Sequence, residues 1–360
     1  MKILLISPSI YPFTIGGMEI YNYYFVKELK KNGHNISLLS NHSGKFPIDI
    51  PQYKLYTRKS IIQSVKIFIH LLLHKYDIVH IPYASNSFLA NPLGLFKKFF
   101  KKNNYVIYIH GGGMYEWNDP AKQALFFKKA KEIISVSDPI KKEYEKRTRR
   151  KVTTILPLIP FEKSNRNKNE TRNSLGIGSD EKVLIYVGSI KPIKGSDFLV
   201  NSFLKLGKEF FRKNNLKMIF VGEGVLRHEL QDLVEKDKME KEIIFLGKKR
   251  KEEIPDYLSV ANIFVFASHY EGTPLSLLEA MHNNLLVIAA DVTGVNNIIK
   301  HEVNGLLYPK DDFNSFKSSI EFALSNTKEC NEMIDYAKNI TLRNFDFKKN
   351  LLEHLNLYNA

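Results

Sequence analysis

Two glutamates separated by seven residues, Glu271 and Glu279, stand in the stretch His269–Met281, HYEGTPLSLLEAM. The apolar run IFVFAS precedes Glu271, and Gly272, Thr273 and Pro274 follow it before leucines at helical spacing. Thr273 suits an N-cap and Pro274 the first helical position, so the spacing predicts a helix from Leu275 to about Asn283 with Leu277, Leu278 and Met281 on its buried face. That places the Glu271 carboxylate at the mouth of a strand, beside a helix N-terminus. The free N–H groups and partial positive charge there suit a diphosphate. Glu279 falls deeper, where a carboxylate can accept two hydrogen bonds from a vicinal diol such as a ribose. These are parts for gripping a nucleotide that carries a sugar.

Further residues of this kind lie along the chain. Gly16 and Gly17 follow the first apolar run and open a helical pattern, where side-chain-free backbone lets a phosphate approach closely. Glu19 falls in the first turn of that helix, as a cap or a ligand. His110 ends an apolar run and leads into Gly111-Gly112-Gly113, and Gly222-Glu223-Gly224 forms a turn after another run. The segment GSIKPIKGSD lacks the G-x4-G-K-[ST] spacing of a nucleotide P-loop.

Alternating β-branched runs and helical patterns must position these groups. The runs are Ile3–Ile6, Ile36–Leu39, Ile78–Ile81, Val106–Ile109 and Ile133–Val136, then Val183–Val187, Met218–Val221, Ile243–Leu246, Ile263–Phe266, Leu286–Ile288 and Leu306–Tyr308. Intervening helices predict parallel sheets covered on both faces. At 360 residues the chain exceeds one ordinary core,. The reading is α/β, with two facing Rossmann-like doubly wound domains at 1–163 and 164–340. A C-terminal helix over 341–360 would pack back towards the first domain. The polar segment Phe161–Lys182 is the candidate linker. Ligands of such sheets bind at the carboxyl ends of the strands.

Composition narrows the class. One cysteine, Cys330, forbids an intrachain disulfide and a cysteine-based zinc site,. The start, MKILLISPSIYPF, reads as a strand rather than a signal peptide. No 18-residue apolar span occurs, and Ile61–Leu73 is broken by Gln63, Lys66 and His70, as a buried or interfacial helix would be,. The net charge is +15: through Lys163 there are 26 Lys and Arg against 11 Asp and Glu, and from Ser164 onward 27 against 27. The excess belongs to the first half, which should meet an anionic surface or partner. In NPLGLFKKFFKKNN, a helix would put Leu95, Phe96, Phe99 and Phe100 on one side and Lys97, Lys98, Lys101 and Lys102 on the other, the pattern of a helix lying in a membrane surface. Lys141 to Lys151 form a second basic cluster. No nucleic-acid module is present.

In order and spacing these motifs resemble the retaining glycosyltransferases of GT-B fold, family 4, whose hallmark is E-x7-E followed by Ala. The likeness spans nearly the whole chain. It runs from ISPSIYPFTIGGMEIYNYYFVKELKKNGHNISLL, IHGGG and SVSDPIKKEY to YVGSIKPIKGSDFL, FVGEGVLRHELQ, FLGKKRKEEIPDYLSVANIFVFASHYEGTPLSLLEAM and NGLLYP. It implies that Gly16 and Gly17 touch donor phosphate or acceptor, and that His110 faces the donor sugar. Lys194 would neutralise the diphosphate as the sugar–phosphate bond breaks. Glu271 would contact the sugar, with Gly272, Thr273 and Pro274 presenting backbone amides, and Glu279 would hold the ribose. Gly222 and Gly224 would match the G-x-G turn, and the backbone at Gly247 and Lys248 would face the base. The family's arginine after Val-Gly is replaced by Ser189, so Lys191 is the candidate second cation. Asn297 stands where an acid is common.

The resemblance implies retention through front-face attack, with no metal and no cofactor beyond a nucleotide-sugar substrate such as a UDP- or GDP-hexose. The expected acceptor is a lipid-linked or oligosaccharide glycan of surface polysaccharide. The enzyme would be cytoplasmic and peripheral to the inner face of the cell membrane. A soluble acceptor, a sugar-nucleotide epimerase of the same shape, and an inactive membrane-docked subunit of a polysaccharide assembly complex stay open.

Overall fold

Apolar runs buried on both faces make strands of parallel, helix-covered sheets, and every run singled out above is a strand. A computed structural model describes residues 1–42, 44–54, 67, 69–83, 104–111, 126–158 and 160–359. They divide into two units: residues 1–160 with 345–360, and residues 161–344. This boundary lies three residues before the one read from the sequence.

The first unit holds β1 (Lys2–Ile6), α1 (Gly17–Lys31), β2 (Asn35–Ser40), β3 (Gln52–Lys54), β4 (Ile78–Tyr83), β5 (Tyr105–Ile109), β6 (Glu132–Ser135), α2 (Asp138–Thr148) and β7 (Thr153–Thr154). Its seven strands run β3-β2-β1-β4-β5-β6-β7, all parallel. Helix α1 buries Ile20, Tyr21, Tyr24, Phe25 and Leu29, one stripe at helical spacing,.

The second unit holds α3 (Lys168–Ser174), β8 (Lys182–Val187), α4 (Ser196–Lys213), β9 (Leu216–Val221), α5 (Arg227–Lys236), β10 (Ile243–Gly247), α6 (Ile254–Val260), β11 (Ile263–Phe266), α7 (Leu275–His282), β12 (Leu286–Ala290), β13 (Leu306–Tyr308), α8 (Phe313–Ser325) and α9 (Thr327–Asn344). Its sheet runs β10-β9-β8-β11-β12-β13, again all parallel. Both sheets therefore have the 3-2-1-4-5-6 order of a doubly wound fold. In the second, chain direction along the sheet reverses between β8 and β11, so the loops after these two strands diverge at that point.

The last helix, α10 (Phe347–Asn359), returns to the first unit. Its His354 is hydrogen-bonded to Tyr21 at 3.1 Å, its Tyr358 hydroxyl to the His80 ring, and Lys131 donates to the Tyr358 carbonyl at 2.8 Å.

One sequence reading needs correction. The stretch 161–182 is not a bare linker, because it forms α3 and docks within the second unit. Arg172 is buried there and donates to the carbonyls of Val260 and Gly178, both at 2.7 Å, so a polar sequence is held by a satisfied guanidinium,. In the second basic cluster, Arg150 is turned onto the carbonyls of Phe127, Lys128 and Ala130, while Arg147 pairs with Glu143 at 2.7 Å. Lys142, Lys146, Arg149 and Lys151 of the same cluster are exposed. Of Ile61–Leu73, the described residues include buried Ile67 and exposed Ile69, Leu72 and Leu73. Lys97, Lys98, Lys101 and Lys102 lie outside the described residues, as do Gly112 and Gly113.

Candidate functional site

The loops after β8 and β11 leave the carboxyl edge of the second sheet at its switch point, and they carry Lys194 and Glu271. After β8 the chain makes a 3-10 turn over Pro192–Lys194. The Lys194 ammonium lies 2.7 Å from Glu271 Oε1, and the Ser268 hydroxyl donates to the same oxygen at 2.5 Å. One carboxylate oxygen thus takes two donors. Tyr186, at the end of β8, is a neutral phenol: burial first and the Glu271 charge second push its pKa up, and it donates to the Ser189 carbonyl at 2.9 Å.

Backbone contacts lock these loops together. The N–H of His269 donates to Ile193 O at 3.0 Å, and that of Glu271 to Thr293 O at 3.1 Å. Two glycines make such stacking possible. Gly195 has φ +61°, and a Cβ there would lie 2.1 Å from Ala267 O; Gly294 has φ +88°, and its Cβ would lie 2.2 Å from Glu271 O. Both combine a left-handed backbone with a contact that leaves no room for a side chain.

Helix α7 then carries the second acid. Its N-cap falls on Pro274, one residue beyond the expected Thr273, without a side-chain cap. The first intrahelical bond runs from Leu278 N to Pro274 O, so the N–H groups of Leu275, Ser276 and Leu277 precede the ladder at the helix's positive end,. Leu277, Leu278 and Met281 are buried, as their spacing predicts. Glu279 is only 7% exposed and forms an ion pair with Lys251, itself 6% exposed, from the 3-10 turn after β10.

The remaining candidates are more dispersed. Lys191 is exposed, and its ammonium makes no ion pair among the described residues; Lys248 is exposed as well. Gly222 backs onto the Gly188 carbonyl and Gly224 onto that of Ile190, so the turn after β9 joins the same edge. Asn297 is exposed. In the first unit, Gly16 and Gly17 open α1, where the Glu19 carboxylate folds back over Gly16 and accepts from Ser9 at 2.6 Å. His110 follows β5 with its ring edge-on to Tyr21 and Tyr108, at 4.7 and 4.5 Å between centroids, and its Nε2 has no hydrogen-bond partner. Burial first and His354 second pull its pKa down to about 3, so this imidazole is neutral at pH 7.

Three contributors escape sequence reasoning. Lys251 sits in the charge run GKKRKEE, where nothing marks it as the buried lysine. Ser268 is one more small residue at a strand end. Arg227 pairs with Glu223 beside Gly247, which brings the turns after β9 and β10 together. Among the described residues no three His, Cys, Asp or Glu side chains are grouped to hold a metal, and no helix is long and apolar enough to cross a membrane.

Comparison with known proteins finds glycosyltransferases along both halves of the chain. Residues 15–163 match the model of Glycosyltransferase Family 4, and residues 167–340 that of Glycosyl transferases group 1. An uncharacterized glycosyltransferase of Methanocaldococcus jannaschii is 26% identical over 99% of this chain and 98% of its own length. The UDP-Gal:alpha-D-GlcNAc-diphosphoundecaprenol alpha-1,3-galactosyltransferase of Escherichia coli is 27% identical over 53% of this chain and 49% of its own. Among solved structures, Anabaena HepE in complex with UDP and glucose superposes with a TM-score of 0.82, at 17% identity, over 99% of this chain and 98% of that one. With both halves matched by glycosyltransferase models and both sheets doubly wound, the chain is a glycosyltransferase of GT-B fold.

Proposed function

We propose that this chain is a retaining hexosyltransferase that moves a hexose from a nucleoside-diphosphate sugar to a lipid-linked glycan in surface polysaccharide synthesis, working at the inner face of the cell membrane. The observation that carries the reading is the Lys194–Glu271 pair at the switch point, set beside the open N-terminus of α7 with the Lys251–Glu279 pair further along the same helix. Lys194 and the first N–H groups of α7 supply positive charge to a diphosphate. That charge matters most as the sugar–phosphate bond breaks and the leaving group gains charge. Glu271, held by Ser268, accepts from the sugar hydroxyls, and Glu279 from the ribose. Gly272, Thr273 and Pro274 shape the intervening turn, while Gly222, Gly224 and Lys248 belong to neighbouring loops that would border the base and phosphates. Lys191, which makes no ion pair among the described residues, can stand in for the arginine replaced by Ser189. Neutral His110 offers one unpartnered ring nitrogen to a sugar hydroxyl.

The galactosyltransferase named above is one of alpha-D-GlcNAc-diphosphoundecaprenol, and HepE was solved with UDP and glucose. Together with the +15 charge confined to the first half, these support a lipid-diphosphate acceptor and a nucleotide donor such as a UDP- or GDP-hexose. The test is nucleoside-diphosphate release from a panel of UDP-, GDP- and ADP-hexoses, with polyprenyl-diphosphate glycans as acceptors and flotation on anionic vesicles in parallel. Acceptor-dependent release with retained anomeric configuration is expected. If no donor is consumed and no nucleoside diphosphate raises the melting temperature, the assignment fails.

A further inference from the structure

The second unit contains a cavity at the opposite edge of its sheet, distant from Lys194 and Glu271. It opens at the amino ends of β8, β11 and β12, where Lys182, Ile263 and Leu286 contribute to its wall, and has a volume of about 550 Å³. A strand's length of roughly 15–20 Å separates this edge from the candidate donor site. Four lysines line it, Lys163, Lys168, Lys182 and Lys338, together with His282, and no Asp or Glu does. None of the four lysines forms an ion pair among the described residues; Lys182 alone is engaged, donating to the Leu324 carbonyl at 3.3 Å.

His282 supplies an independent sign. It is 8% exposed, stacks on Phe161 at 4.7 Å between ring centroids, and its Nδ1 has no partner. Burial first, then Lys338 and Lys163, lower its pKa, and burial followed by Arg172 lowers that of Lys168. In both, the cause after burial is a neighbouring cation. The C-terminus of α7 opposes an anion here with about half an elementary charge, against four cations.

We infer that this cavity is a second ligand site, for a small, multiply charged phosphate compound, and that it is separate from the donor site. Lysines act as point charges rather than planar forks, which suits phosphate groups whose orientation is not fixed by a single bidentate contact. The wall sets these charges beside apolar residues such as Ile263, Leu286 and Ile334, so a ligand would meet cations on part of its surface only. The cavity also draws on the first residues of the unit, Lys163 and Ser164, and on α9, after which the chain leaves the unit. A bound anion would fasten those two segments to each other.

The probe is inorganic pyrophosphate, titrated calorimetrically into the full-length protein. Binding to wild type should include a component that persists in Lys194→Gln and weakens about tenfold or more in the Lys168→Gln/Lys338→Gln double variant. Removing the same two charges at Lys236 and Lys241, elsewhere on the unit, should leave it unchanged. The Lys163→Gln/Lys338→Gln pair provides a second test should the first fail to fold, and unliganded melting temperatures report folding. The inference is overturned if pyrophosphate shows no saturable binding, if Lys194→Gln alone abolishes it, or if the remote pair weakens it as much as the cavity pair. Because donor turnover is not read, this outcome is independent of the proposed transfer activity.

Discussion

Replacing Lys251 with methionine keeps most of the side-chain volume and removes the charge that pairs with Glu279. Both partners are almost fully buried, at 6% and 7% exposure, so the carboxylate would be left without compensation. Breaking a buried pair in this way costs about 3–5 kcal/mol, far more than the roughly 0–1 kcal/mol of an exposed pair. In a unit of this size about 2–4 °C of melting temperature goes with each kcal/mol, so a fall of about 6–20 °C is expected. Differential scanning calorimetry on the full chain should place the loss in the transition of residues 161–344 and leave that of the first unit unchanged. The double variant Lys251→Met/Glu279→Gln should recover most of the loss, because the orphaned charge and not the missing attraction dominates. If the single variant melts within a degree or two of wild type, or if the second substitution makes matters worse, the pair is not the buried element described above.

Other consequences are equally direct. Glu279→Ala should weaken donor binding, whereas Lys194→Ala should lower kcat by about a hundredfold or more with a smaller change in affinity, as expected of a group that meets charge developing in the transition state; steady-state kinetics separates the two. Gly294→Ala must place a Cβ against the Glu271 carbonyl in a left-handed backbone, costing at least about 1–2 kcal/mol in the helix-forbidding region alone, and activity should fall with stability. Acid should destabilise the first unit. His110 and His354 are held to pKa values of about 3, His80 well below its ordinary value, and all three mainly by burial. The unfolded chain therefore binds more protons below about pH 6.5, and stability falls as pH drops from there towards 3. At pH 5 the loss is about 2 kcal/mol for an isolated imidazole of this kind, less per residue for a coupled cluster. Melting temperatures between pH 7 and 5 that fail to drop, or that drop equally in His354→Leu, would contradict neutral burial.

Much of this architecture is legible in the chain because parallel strands bury both faces and so appear as unbroken apolar runs. The exceptions are informative. β3 (Gln52–Lys54) and β7 (Thr153–Thr154) lie at the two edges of the first sheet, where short polar segments still pair along one side, and no hydrophobic signal marks them. Helix α3 escapes notice because its docking rests on Arg172, whose guanidinium finds backbone carbonyls that only the folded chain assembles. At the site, Glu271 and Glu279 are visible from spacing and from the Gly-Thr-Pro turn. Their partners divide: Lys194 is reached only through the resemblance to the family, and Lys251 looks like any member of a solvated charge run. Which of Lys248, Lys249, Arg250 and Lys251 turns inward depends on the 3-10 turn after β10, a tertiary fact.

The pairing of both acids also bears on how a donor would be held. Lys194 is already neutralised by Glu271 at 2.7 Å, so a diphosphate bound as proposed would not meet a bare cation; it would compete with a carboxylate for the same ammonium. At an effective dielectric near 20, one such contact at 4 Å is worth about 4 kcal/mol before desolvation, and the arriving group carries more charge than the one it displaces. The exchange is favourable while it releases Glu271 Oε1 from one of its two donors, leaving Ser268 to hold it. A carboxylate freed in this way is a better acceptor for a sugar hydroxyl than one shared between a lysine and a serine. On the proposed function, donor phosphate and donor sugar would thus be coupled through a single oxygen. It follows that Ser268→Ala should weaken binding of the intact nucleotide sugar more than binding of the nucleoside diphosphate alone. Equal losses for both ligands would show that Ser268 only supports the loop.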